Sequence, residues 1–156
     1  MTKKEQYEAL LPEILSVIED ETDLIANMAN VASMLHEAFG FWWTGFYRVA
    51  TPSGTQEEQL VLGPFQGPLA CTRIRCGKGV CGTSWKEQRT VVVPNVHEFP
   101  GHIACSSASN SEIVVPMWQD GRIIAVLDID SREFSTFDET DAQYLERLMQ
   151  AMTTRD

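Results

Sequence analysis

The chain has 156 residues, 44% of them hydrophobic and 22% charged, with a formal net charge of −10. That length suits one domain with its own core, so residues 1–156 are expected to form a single domain. The acidic balance excludes nucleic acid and anionic membrane as partners, because phosphate binding needs an excess of Lys and Arg.

Two helices are predicted first, within residues 1–40. Tyr7, Leu11, Ile14, Leu15 and Ile18 recur at helical spacing, with Pro12 either kinking that helix or marking its start. The second helix carries Leu24, Ile25, Met28, Val31, Ala32, Leu35 and Phe39 on one face, with Thr22 as N-cap and Gly40 past its end. Residues 41–130 then supply strands and loops. FWWTGFYRVA ends at the turn signal TPSGT, and QLVLGPF and LACTRIR are two further strand candidates. GVCGTSWKEQ reads as a short helix and TVVVP as a short buried strand. Residues 95–110 show little periodicity, and a loop of that length inside a domain is expected to bind something or cover a site. SEIVVPMW and RIIAVLDID flank Asp120-Gly121, a two-residue hairpin signal. A final helix over about 138–152 places Tyr144, Leu145, Leu148, Met149 and Met152 on one face. The order predicts an α+β domain, an antiparallel sheet with helices on at least one face. No apolar run approaches the ~20 residues of a membrane span, and MTKKEQYEAL has no apolar centre of the signal-peptide kind, so a cytoplasmic protein is expected.

Asp128 and Asp130 alternate onto one strand face. Either the strand ends at the surface, or the acids are buried and must meet something cationic. Counting back from a strict turn at Asp120-Gly121, Glu112 falls opposite Ile129, on the wrong face to join them. A one-residue slip between Ser111 and Arg122 would bring all three acids together, and Pro116 marks a place for it. The four cysteines, Cys71, Cys76, Cys81 and Cys105, follow C-x4-C-x4-C-x23-C. With His97 and His102 nearby this matches no zinc-ligand spacing, and no metal is expected. Cys76 reads as a small buried hydrophobe. Cys105 lies among small polar residues in the long loop, where a thiol stays accessible, and His102 could stabilise its thiolate. Trp43 and Tyr47 share a face across Gly45, either as core or as the wall of a pocket.

VLGPFQGPLACTRI, GKGVCG, FPGHIACSSASNSEIVVP and LDIDS together resemble the free methionine-(R)-sulfoxide reductase family, a branch of the GAF domains. The match runs in order from about Phe41 to the last helix. The resemblance implies a six-stranded antiparallel sheet with helices mainly on one face. It implies an enzyme that reduces free methionine (R)-sulfoxide without a bound cofactor, with thioredoxin returning the electrons. By motif, Cys105 becomes the nucleophile, Cys71 the resolving thiol and Cys81 the third family cysteine. Glu112, Asp128 and Asp130 match the acidic substrate site, and Trp43 and Tyr47 its aromatic wall. Cys76 is an additional cysteine, and Ser106 replaces an acid expected after the nucleophile in many relatives. A homodimer is common among GAF domains. The alternative is a non-catalytic GAF sensor of a small molecule or of redox state, which needs the pocket but not three cysteines.

Overall fold

Thr2 starts the first helix through a capping box: its side chain accepts from the Glu5 amide while the Glu5 carboxylate returns to Thr2. This computed structural model describes residues 1–101 and 108–154. Helix α1 spans Lys3–Ile18 with Pro12 in its interior, so the proline removes one helical hydrogen bond without ending the helix. Its buried stripe is Tyr7, Ile14 and Ile18, whereas Leu15, expected in the core, is exposed. Helix α2, Leu24–Phe39, is capped by Asp23 rather than Thr22, because the Asp23 carboxylate accepts from the Ala26 amide. Gly40 ends it at φ 68°, in the left-handed region.

The strands are β1 Trp43–Ala50, β2 Gln59–Gln66, β3 Arg73–Ile74, β4 Val91–Val93, β5 Ser111–Gln119 and β6 Arg122–Ser131. They form one antiparallel sheet in the order β3-β2-β1-β6-β5-β4. Helix α3, Gly79–Glu87, lies between β3 and β4 in sequence, and α4, Glu139–Thr153, closes the chain with Asp138 as its cap. The strands alternate, so each sheet face has its own core. Phe46, Ile113, Val115, Met117, Ala125, Leu127 and Ile129 face α1, α2 and α4. Trp43, Tyr47, Val114 and Val126 face the other way, against Val80 and Cys81 of α3. Three helices thus cover one face, and the fourth shares the other with loops.

The β5–β6 hairpin contains the expected slip. Gln119 pairs with Arg122 and Trp118 with Ile123, but Met117 pairs with Ala125, leaving Ile124 as the extra residue. The irregularity lies in β6, one step past Pro116, which itself pairs in register with Val126. Beyond it Glu112 faces Asp130. The LACTRIR segment pairs only at Arg73 and Ile74. Residues 67–72 run as a loop, held where Trp43 Nε1 donates to Pro68 O (3.0 Å) and the Tyr47 hydroxyl donates to Cys71 O (2.8 Å).

Candidate functional site

Pairing across the middle strands aligns three side chains in a row. Trp43 on β1 faces Asp130 on β6, and Asp130 faces Glu112 on β5. One step along, Gly45 faces Asp128. Helix α3 brings Lys78, Gly79, Val80 and Cys81 over this row, and the 67–72 loop adds Leu69 and Ala70. Together with Tyr47, Ile74 and Ser109 these groups enclose a cavity of about 50 Å³.

Glu112 and Asp128 are buried, each 6% exposed, and Asp130 is half-buried. Burial pushes all three carboxyls above their ordinary range; Asp128 raises Glu112 and Asp130 further, and Asp130 also raises Glu112. Glu112 bonds to both Asp128 and Asp130 as the protonated partner, so hydrogen bonding raises Glu112 while it lowers the two aspartates. Ser109 Oγ donates to Asp130 Oδ1 at 3.1 Å. The Cys81 thiol bonds to Asp128, and burial together with the three acids pushes that thiol well up. Among the described residues Asp128 Oδ1 is buried without a hydrogen-bond partner. Three carboxyls and a thiol crowded out of water are unfavourable in their charged forms and become favourable around a cation.

The aromatic wall is tightly held. Trp43 stacks on Tyr47 (6.0 Å between centroids) and on Phe65 (5.2 Å). A Cβ at Gly45 would lie 2.3 Å from Phe65 Cβ and 2.6 Å from Trp43 Cη2. The room left by Gly45 is therefore filled by the indole and Phe65 and is not itself pocket. Burial and the nearby Asp128 push the Tyr47 phenol up, so it stays a donor to Cys71 O.

The cysteines separate by environment. Cys71 is half-buried and disulfide-bonded, while Cys76 and Cys81 are free. Cys76, expected to be buried, is exposed, because it occupies the turn that leads into α3 between Arg75 and Gly77. The buried small hydrophobe is Cys81. Cys105, His102 and Ser106 lie outside the described residues. Sequence reasoning missed Ser109 and the start of α3. Lys78 is the N-cap of α3 and supplies no side-chain cap. The amides of Gly79, Val80 and Cys81 therefore open the helix without intrahelical acceptors, at the edge of the cavity. GKG ahead of a helix, with no Ser, Thr, Asp or Asn at the cap, was the available signal.

A GAF domain family model matches residues 18–154. The chain belongs to the GAF domain family. GAF domain-containing protein A of Dictyostelium discoideum is 54% identical over 151 residues, which cover 97% of this chain and 92% of that protein. The free methionine-R-sulfoxide reductase of Escherichia coli K12 is 43% identical, covering 96% and 87%. The X-ray structure of free methionine-R-sulfoxide reductase from Neisseria meningitidis in complex with its substrate superposes with a TM-score of 0.92 at 56% identity, over 97% of this chain and 89% of that one. The GAF sheet and helices described above match the architecture expected from the resemblance, and the Escherichia coli and Neisseria meningitidis relatives carry the name of the branch it pointed to. Among the described residues no helix of this GAF domain is long and apolar enough to cross a membrane.

Proposed function

We propose that this GAF domain is an enzyme that reduces free L-methionine (R)-sulfoxide to methionine. The observation that carries this reading is the convergence of Glu112, Asp128 and Asp130 in a buried cavity beside the Trp43 indole. A free amino acid has an ammonium group to meet those carboxylates, and a methionine residue within a protein does not. A neutral backbone amide in that place would leave buried carboxylates unpaired, so the pocket selects against peptides. The open amides at the start of α3 suit the carboxylate of the same amino acid. The indole suits its methyl and sulfur end.

In the reaction proposed here, the Cys105 thiolate attacks the sulfoxide sulfur. The oxygen leaves sulfur for Cys105 as proton transfer accompanies bond exchange, giving methionine and a sulfenic acid at Cys105. Glu112 is the carboxyl that holds the proton between two aspartates, which makes it the donor to the oxygen. The Cys71 thiol then attacks the sulfenic sulfur, water departs, and a disulfide forms. A thioredoxin dithiol reduces that disulfide by exchange and is itself oxidised. Cys81 is a poor nucleophile in this scheme, being buried, protonated and bonded to Asp128.

One single-turnover assay tests the proposal. Reduced protein mixed with free methionine (R)-sulfoxide should release one methionine per chain. N-acetylmethionine (R)-sulfoxide, which lacks the ammonium, should release none on the same timescale. Cys105→Ser should abolish release. Equal turnover of the acetylated compound would overturn the ammonium reading, and release by Cys105→Ser would move the nucleophile elsewhere.

A further inference from the structure

We propose that Cys81, Glu112 and Asp128 form a binding site for one thiophilic divalent cation of the Zn²⁺ and Cd²⁺ class. All three residues are buried, and one ligand atom from each lies within 4.8 Å of the others. They come from three separate elements: Cys81 from α3, Glu112 from β5 and Asp128 from β6. Neighbouring sheet positions place Glu112 opposite Asp130 and Val114 opposite Asp128, so the two carboxylates are diagonal neighbours. Cys81 approaches from above and already bonds to Asp128.

A second observation points to a ligand. Asp128 Oδ1 is buried among these groups with no hydrogen-bond partner among the described residues, a state that a bound cation relieves. The donor set decides which cation. One sulfur and two carboxylates are too few and too soft for Mg²⁺ or Ca²⁺, which need six or more oxygens. They suit Zn²⁺, whose tetrahedral bonds of ~2.3 Å to sulfur and about 2.0–2.2 Å to oxygen put ligand atoms roughly 3.5 Å apart. Small side-chain rotations close the remaining gap. The fourth position opens into the cavity. Ser109 on Asp130, and Asp130 on Glu112, supply the outer hydrogen bonds that hold the ligands in place. Cysteine spacing concealed this site because just one cysteine takes part, and its companions lie on distant strands. A cation here occupies the carboxylates assigned above to the substrate ammonium. Competition between the two therefore rests on the proposed function, whereas the cation site itself does not.

The test uses the full chain carrying Cys76→Ser, which removes the exposed free thiol, with the Cys71 disulfide intact and no thiol reductant present. Titration with Cd²⁺ should raise an ultraviolet thiolate-to-metal charge-transfer band that saturates at one equivalent. Cys81→Ser in that background should abolish the band, and Asp128→Asn should weaken binding at least about tenfold. No band in the Cys76→Ser protein, or an unchanged band after Cys81→Ser, overturns the proposal. Thermal melting provides a readout even if Cys81→Ser does not fold: Cd²⁺ should raise the Tm of the Cys76→Ser protein and Mg²⁺ should not. Equal rises with both ions overturn the site. Free methionine (R)-sulfoxide should displace bound Cd²⁺. One Cd²⁺ bound and not displaced leaves the cation site standing and sinks the ammonium assignment, so the two readings fail separately.

Discussion

Asp128 holds a buried carboxylate oxygen without a partner, while the two neighbouring acids are hydrogen-bonded. Within the folded protein alone this residue is a liability, since a buried acceptor left unsatisfied costs about 1–3 kcal/mol. Replacing it with Asn keeps the shape and removes the buried charge, while the amide oxygen still accepts from Glu112 and Cys81. Asp128→Asn should therefore be more stable than the natural protein, by roughly 1 kcal/mol at neutral pH. The same change should raise KM for free methionine (R)-sulfoxide at least about tenfold, because a charge-assisted bond to the ammonium is worth about 1.5–3 kcal/mol. Thermal denaturation and steady-state kinetics on one preparation check both signs. A lower Tm with unchanged KM would mean that Asp128 serves the fold and not the substrate.

The β5–β6 hairpin is the element that assembles the site, and its extra residue is Ile124. Deleting Ile124 removes the bulge and preserves Met117 opposite Ala125 and Glu112 opposite Asp130. Single-turnover methionine release should then stay within about threefold of the natural protein, at a stability cost of about 1–2 kcal/mol for the partly buried side chain. Loss of turnover in a folded deletion variant would show that the twist of the bulge, and not the count alone, aims the acids. The same hairpin shows what the sequence discloses. Alternation puts Asp128 and Asp130 on one face, and counting from Asp120-Gly121 requires a slip to bring in Glu112. Which strand carries the extra residue is not legible, because a bulge in either one turns Glu112 to the acidic face, opposite Asp130 if it lies in β6 and opposite Asp128 if it lies in β5. The N-cap of α2 was ambiguous for a similar reason, as Thr22 and Asp23 are both capping residues and side-chain geometry decides between them. Leu15 has the right spacing for the core, but the stripe of Tyr7, Ile14 and Ile18 turns it outward. The β3 strand is shorter than its LACTRIR pattern suggests because Pro68, just before that segment, and Cys71 within it give their carbonyls to Trp43 and Tyr47, contacts with no local signature.

Across the whole molecule, the buried acids tie stability to pH. Glu112, Asp128 and Asp130 all titrate above their unfolded values, so the folded state holds more protons once pH exceeds the unfolded range of about 4. Stability then falls as pH rises from there through the folded pKa values. His36 opposes this on the acid side. Burial lowers its imidazole, so the unfolded state takes up the proton more readily and stability falls as pH drops below about 6.5. Asp138 is lowered too, by Lys3, and the stability it contributes is lost only near and below pH 4. Comparing the natural protein with Glu112→Gln/Asp128→Asn/Asp130→Asn cancels His36 and Asp138, because both proteins contain them. The Tm of the triple variant should exceed that of the natural protein by a margin that widens as pH rises from 5 to about 7.5, measured without substrate or metal. Saturating free methionine should narrow the margin, since its ammonium stabilises the carboxylates in the natural protein alone. A margin that is flat across this range would mean that the three acids are solvated and carry their ordinary charge, and the pocket would lose its basis for choosing a free amino acid.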